Sequence, residues 1–435
     1  MGKLLLTINF EKDDFMTYKR KVLVLFLSLI ILLIGCNRND NIPKDNEVID
    51  KNPKENEMEE PNNDLTEEEQ IDPIEEKIRN LSLDEKIGQL IIAGFEGTIL
   101  NEEVIDLIEE YKVGGFILFS RNIIDENQVL ELLNDIKKTN STNQIPLFLS
   151  IDEEGGKVSR LPKSYPRLPE AIVFGEMNDI ELSYELGRIL GERVKSLGFN
   201  MNYSPILDIN SNPNNPVIGK RAFGSDIETV VSNGIQAMLG IMERDIISVV
   251  KHFPGHGDTA LDSHINLPVV YKSKEELKSF ELIPFIEAIE NHVDAIMLAH
   301  ILYPEIENYP ATMSPKIINE LLREELGFTG VIISDDMTMG AIMENYAIEE
   351  CVLSFLKAGG DLALICHGKE NVIKVIEEIT DAVNRGELAE EEIDEKLYRI
   401  LVLKDKYKID DIQIDSIDLR ELNNRTLELI NKIQN

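Results

Sequence analysis

Eight short apolar runs rich in β-branched residues recur along the chain, each followed by a polar stretch or a helical pattern. They cover residues 87–95, 113–119, 146–151, 200–206, 247–250, 295–298, 330–334 and 362–365. Near-continuous apolarity marks strands buried on both faces, as in a parallel sheet. Between them, residues 102–111, 127–138, 180–197, 274–291 and 316–325 carry the 3.6-residue repeat of amphipathic helices. Parallel strands must be joined by crossovers, which such helices supply. Eight units in one chain of 435 residues predict a single (β/α)8 barrel. A doubly wound open sheet shows the same alternation, but its glycine-rich phosphate fingerprint does not follow the first run.

A barrel of this kind gathers its chemistry at the C-terminal ends of its strands. Ionisable residues lie there in succession. Asp152 follows the third run in IDEEGGKVSRL, and Asp208 and Arg221 follow the fourth. Lys251 and His252 follow the fifth, His300 the sixth, and Asp335 with Asp336 the seventh. The densest stretch is KHFPGHGDTALDSH, from Lys251 to His264, which holds three of the six histidines. Pro254, Gly255 and Gly257 mark it as a loop of tight turns after the strand. A histidine beside a carboxylate in such a loop suits proton transfer, because the carboxylate fixes the tautomer and raises the ring's basicity.

These residues divide by role. Asp335 ends an apolar strand, and Lys251, Arg160 or Arg221 nearby would keep it ionised, as a nucleophile requires. His264, oriented by Asp262, is the candidate acid/base. A fixed carboxylate with a mobile proton-transfer group is the equipment of a retaining glycosidase. Asp152, Arg160, Arg221, Lys251 and His252 are then placed to bind sugar hydroxyls or an acetamido group. Asp336 reads as a cap for the next helix, and His256 and Asp258 as residues that shape the loop. His300 is open between rim and core. Cys366 and His367 hint only weakly at a metal. No metal or other cofactor is expected.

Composition narrows the partners. A formal charge of −36 excludes a nucleic-acid backbone. Three cysteines, Cys36, Cys351 and Cys366, are too few for a disulfide framework. Lys19, Arg20 and Lys21 precede an apolar run from Val22 to Gly35 that ends at Cys36. This is a secretory signal, short for a membrane span, and its ending resembles a bacterial lipobox, with Cys36 as the lipidated residue. Met16 stands just before the basic cluster as a second possible start. Residues 37–71, polar and without aromatics, form a disordered tether. The organisation expected is thus a signal segment over 1–36, the tether, a catalytic barrel over 72–408 and a tail over 409–435. A lipid-anchored monomer facing outward from a bacterial membrane follows.

Taken together, KHFPGHGDTALDSH, IDEEGGKVSRL, NYSPILDINSNPNNPVIGKRAFGSD and GVIISDDMTMGAI resemble glycoside hydrolase family 3, in its β-N-acetylglucosaminidase branch. The resemblance runs from Ile74 to Lys408. It implies a (β/α)8 barrel that releases terminal β-linked N-acetylglucosamine from cell-wall glycans or muropeptides. By carry-over, Asp335 resembles the nucleophile, His264 the acid/base and Asp262 its partner. Asp152, Arg160, Arg221, Lys251 and His252 resemble the sugar-binding set. Many related Gram-positive enzymes carry a further C-terminal domain, which this chain is expected to lack.

Three rivals differ in what they require. A zinc-dependent barrel hydrolase would use His252, His300 and Asp335 as ligands, but Glu96 and Gly97 stand after the first run instead of a histidine pair. A non-catalytic sugar-binding lipoprotein needs no Asp262 and His264 beside Asp335. A phosphorylase remains compatible, since a histidine acid/base repels phosphate less than a carboxylate does.

Overall fold

Chain order becomes spatial order. In the computed structural model, which describes residues 72–434, the strands are β1 (Ile91–Ala93), β2 (Gly115–Leu118), β3 (Phe148–Ile151), β4 (Met201–Asn202), β5 (Ile247–Phe253), β6 (Ala295–Leu298), β7 (Val331–Asp336) and β8 (Leu362–Ile365). Each pairs in parallel with the next, and β1 closes on β8 through Ile92 opposite Leu364. The result is a (β/α)8 barrel. Every residue of β1 to β6 and of β8 is buried, which is why their sequences do not alternate. The signal segment, Cys36 and the tether lie outside the described residues.

Four boundaries differ from the sequence reading. Ser82 and Glu85 form a capping box that starts a helix over Leu83–Gly88, so β1 retains only three residues of the 87–95 run. The 200–206 run contracts to β4 because Pro205 has no N–H to donate to a ladder. The expected helix over 274–291 is two, Lys274–Ser279 and Ile283–Glu290, the second restarted by Pro284. Most consequential, β5 and β7 extend past their apolar residues. Leu207 N–H donates to the Lys251 carbonyl at 2.8 Å and Ala299 N–H to that of Phe253 at 2.8 Å. Lys251, His252 and Asp335 are therefore strand residues, held more rigidly than loop residues would be.

At the N-terminal ends of β1, β2 and β3 the buried cation of Lys404 ties the strands together. Lys404 Nζ donates to Gln89 Oε1 at 2.9 Å and to the carbonyls of Gly114 and Pro146 at 3.1 and 2.7 Å. It also lies 4.4 Å from the centroid of the Phe148 ring. Burial draws its pKa down to about 7.

Beyond residue 408 the chain runs back along the helix Glu126–Asn140. Asn134 Nδ2 donates to the Ile414 carbonyl at 2.8 Å and Asn140 Nδ2 to Asp411 Oδ2 at 2.7 Å. A last helix, Arg420–Gln434, buries Leu422 and Leu429, and its Asn423 Nδ2 donates to the carbonyl of Ser164 at 2.9 Å. The tail thus braces the loop that carries Arg160.

Candidate active site

Three strand ends build a buried ionic cluster. After β3, Gly155 and Gly156 turn the chain with φ of 87° and 53°, a region open to glycine at little cost. The preceding Glu153 and Glu154 are thereby turned into the protein. Glu154 accepts two bonds from Arg221, Nε at 2.9 Å and Nη2 at 2.8 Å. Lys251 Nζ lies 2.7 Å from Glu154 Oε1 and 2.6 Å from Asp152 Oδ1. Burial opposes the charge on Glu154, yet Arg221 and Lys251 outweigh it and hold the carboxyl well below its usual range. Lys251 is likewise held charged against its burial, by Asp152 and Glu154. Two cations and two carboxylates so fixed present a rigid polar wall to a ligand.

Glu153 takes a different part. Its carboxylate accepts from Ser159 Oγ and from the Arg160 N–H, both at 3.0 Å, with Arg193 Nη1 at 3.5 Å. Burial pushes its pKa up, against the pull of Arg193. Its effect is to seat Arg160, which lines the cavity.

Below this wall, Asp208 aims His252. It accepts His252 Nδ1–H at 2.6 Å, together with the backbone N–H groups of His252 at 3.2 Å and His256 at 2.6 Å. Burial opposes its charge, but His252 and the N–H groups it accepts hold it below the usual carboxylate range. With Nδ1 engaged, Nε2 is the His252 nitrogen left for the cavity. Asp335 stands at the end of β7 beside it. Burial works against its charge, but His252, the Asp336 N–H at 2.9 Å and Lys251 keep it below the usual carboxylate range. Of the three cations expected to hold Asp335 ionised, Lys251 contributes, whereas Arg221 is bound to Glu154.

Asp336 does not cap the following helix. Its Oδ1 accepts from Thr338 N–H at 2.8 Å and from Cys366 N–H at 3.1 Å, which ties β7 to the end of β8. The helix begins only at Gly340. His300 is fully buried, with Nδ1 2.9 Å from Thr312 Oγ1 and Nε2 3.0 Å from the Asp336 carbonyl. Burial lowers its pKa, and a neutral ring donates from Nε2 and accepts at Nδ1. Both nitrogens are occupied, so it is not free to ligate zinc. Among the described residues, no group of three or more His, Cys, Asp or Glu side chains is gathered to hold a metal. The Cys366 thiol is pushed well up by burial, while His367 lies out at the mouth, stacked on Phe119 with centroids 6.0 Å apart.

The Asp262–His264 pair sits across the opening. His264 Nδ1 is 2.7 Å from Asp262 Oδ1, which also accepts the His264 N–H at 2.9 Å. These two bonds keep Asp262 ionised, and they leave His264 Nε2 free. A cavity of about 410 Å3 lies between loop and rim. Asp335, Asp262 and His264 line it, and so do Asp152, Arg160, Arg221, Lys251 and His252. All eight candidates from the sequence therefore meet in one place. Glu154, Glu153 and the orienting part of Asp208 were not singled out. The adjacent carboxylates of DEEGG and the aspartate of SPILDIN were the available signals.

A (β/α)8 barrel with an ionised carboxylate at one strand end, a carboxylate-bound histidine on a loop above it and a wall of fixed ion pairs is a glycosidase architecture. Residues 82–403 match the glycosyl hydrolase family 3 N-terminal domain, and the chain belongs to that family of glycoside hydrolases. The chain is 33% identical over 335 residues to beta-hexosaminidase A of Pseudoalteromonas piscicida, covering 71% of this chain but only 56% of that relative. A beta-hexosaminidase of Alkalilimnicola ehrlichii is 34% identical, with 68% of this chain and 85% of the relative covered. Among solved structures, the family 3 beta-N-acetylglucosaminidase of Paenibacillus sp. strain FPU-7 superposes with a TM-score of 0.78 at 39% identity, over 80% of this chain and 68% of that one.

Proposed function

We propose that this chain is a retaining exo-β-N-acetylhexosaminidase acting on terminal N-acetylglucosamine of cell-wall glycans. The observation that carries the reading is that an ionised Asp335 on β7 and His264, whose Nδ1 is held by Asp262, line one cavity. Asp335 attacks the anomeric carbon while His264, positioned by Asp262, delivers a proton to the leaving oxygen. Water then enters at the vacated side, His264 takes its proton, and the sugar leaves with its configuration retained. Asp152, Lys251, Arg160, Arg221 and His252 hold the sugar through its hydroxyls and acetamido group.

The test is a chromogenic N-acetyl-β-glucosaminide followed by NMR. The β-anomer should form first, at a rate unaffected by exhaustive chelation or added phosphate. An α-anomer would overturn retention. Loss of activity on chelation, restored by zinc, would favour a metal-dependent hydrolase, and a sugar phosphate product would favour phosphorolysis.

The anchor is proposed on the sequence alone. Lys19 to Lys21, the apolar run and the small residue before Cys36 fit a lipidated bacterial surface enzyme. Cys36→Ser should abolish incorporation of a labelled fatty acid and release the enzyme from the membrane fraction. Unchanged labelling would refute it.

A further inference from the structure

Around His264 the loop after β5 is exposed on both sides of one buried residue. His264 has 63% of its side chain exposed, and Leu261 and Ile265 are 47% and 64% exposed, but Ser263 between them is only 2% exposed. Ser263 Oγ lies 3.0 Å from His256 Nε2, and its carbonyl accepts the Ala341 N–H at 3.2 Å. The next carbonyl, that of His264, accepts the Gly340 N–H at 3.2 Å. His256 is itself immobile, because its N–H is on Asp208 at 2.6 Å and its Nδ1 is 2.8 Å from Thr259 Oγ1. Gly340 and Ala341 belong to the segment that leaves β7 just after Asp335. One set of backbone contacts therefore links the loop bearing His264 to the strand bearing the carboxylate.

Glycine is required at 340 by space. A methyl group there would lie 2.7 Å from the carbonyl oxygens of both His264 and Ile265. That is closer than carbon and oxygen approach without displacement, and the neighbours are backbone rather than a yielding side chain.

We propose that Gly340 is a positioning residue for the acid/base: its bare Cα seats the Ser263–His264 backbone, and that seat sets the distance between His264 and Asp335. The inference rests on His264 being the acid/base. The two bonds at 3.2 Å hold only while the loop lies flat on residue 340, so an added methyl lifts His264 away from the glycosidic oxygen without touching Asp335. Proton delivery depends steeply on such placement, and a shift near 1 Å costs on the order of a hundredfold.

The experiment measures kcat/KM for aryl N-acetyl-β-glucosaminides whose leaving groups range from activated to poor. An activated phenol departs with little protonation, whereas a poor one depends on it. Gly340→Ala should lose about ten- to a hundredfold on the poorest leaving group and less than about threefold on the best, at an unfolding temperature close to that of the parent. Ser263→Ala, which removes the His256 tether and adds no bulk, should show the same tilt to a smaller degree and decides the matter if Gly340→Ala does not fold. His264→Ala runs in the same series as the reference and should tilt most. A flat series for His264→Ala would overturn the acid/base reading itself. A tilt for His264→Ala with flat series for the folded Gly340 and Ser263 variants would overturn the positioning role alone.

Discussion

Asp335→Asn should abolish turnover, with kcat falling by at least about ten-thousandfold, as expected when a member of the catalytic unit is removed. The amide keeps the shape of the side chain and its place on β7, so the loss would report charge and nucleophilicity, not folding. Asp336 supplies the internal control. Its carboxylate serves Thr338 and Cys366 N–H groups rather than a substrate. Asp336→Ala should therefore lower unfolding free energy by about 1–3 kcal/mol, the cost of buried donors left unpaired, while most of kcat survives. A fluorinated substrate that slows breakdown of the intermediate should place a single adduct on the peptide containing both residues, and fragment masses should assign it to Asp335. The competing mechanism uses the substrate's own acetamido oxygen as nucleophile and leaves no protein adduct. An enzyme that turns over normally but never labels, or that labels on Asp336, would sink the assignment.

Glu154→Gln should have the second largest effect, and on both stability and binding. Glu154 is the shared partner of Arg221 and Lys251. Neutralising it leaves two buried cations with only Asp152 and the more distant Asp208 to offset them, and breaking a buried pair in this way costs about 3–5 kcal/mol. Both cations belong to the proposed sugar-binding wall, so KM should rise as well. The pH dependence has a definite sign. The folded pKa of Glu154 lies below its ordinary value of 4.5, so its stabilisation is fully present above pH 4.5 and is lost as pH falls below it. The parent should therefore lose stability from Glu154 on acidification below that value, and the variant should show a shallower slope in that window. Urea midpoints measured from pH 7 downward would check this. Equal slopes would mean that Glu154 is not the strongly coupled group the geometry describes.

Much of the site was readable because a barrel converts a one-dimensional rule into a place. Once the eight apolar runs were recognised as parallel strands, the residue after each had to lie on one rim. Asp152, Lys251, His252 and Asp335 followed from that rule with no knowledge of distances, and the charge-rich KHFPGHGDTALDSH stretch marked two of them independently. Arg160, Arg221, Asp262 and His264 lie further along the βα loops, where the rule weakens. Arg221 was still assigned to the end of the fourth strand, Arg160 was read from IDEEGGKVSRL after the third, and Asp262 and His264 belong to the charge-rich stretch after the fifth. The element ends were less legible. Ser82 and Glu85 converted part of an apolar run into helix, and Pro284 divided one helical pattern into two, because local capping and proline chemistry override hydrophobic periodicity at boundaries.

The order of strands, the rim that carries the chemistry and eight of the side chains that line its cavity were thus determined by the sequence, since periodicity and strand-end position are properties of the chain itself. The pairing within the cluster was decided by the tertiary structure alone. That Arg221 neutralises Glu154 instead of Asp335, that Asp208 aims His252, that Asp336 ties β7 to β8, and that Gly340 seats the His264 loop all depend on residues tens of positions apart in the chain. Their distances follow from the closure of the barrel and the packing of its loops. The physical reason is that a buried charge takes whichever partner lies within about 3 Å in space, and no separation along the chain encodes that distance.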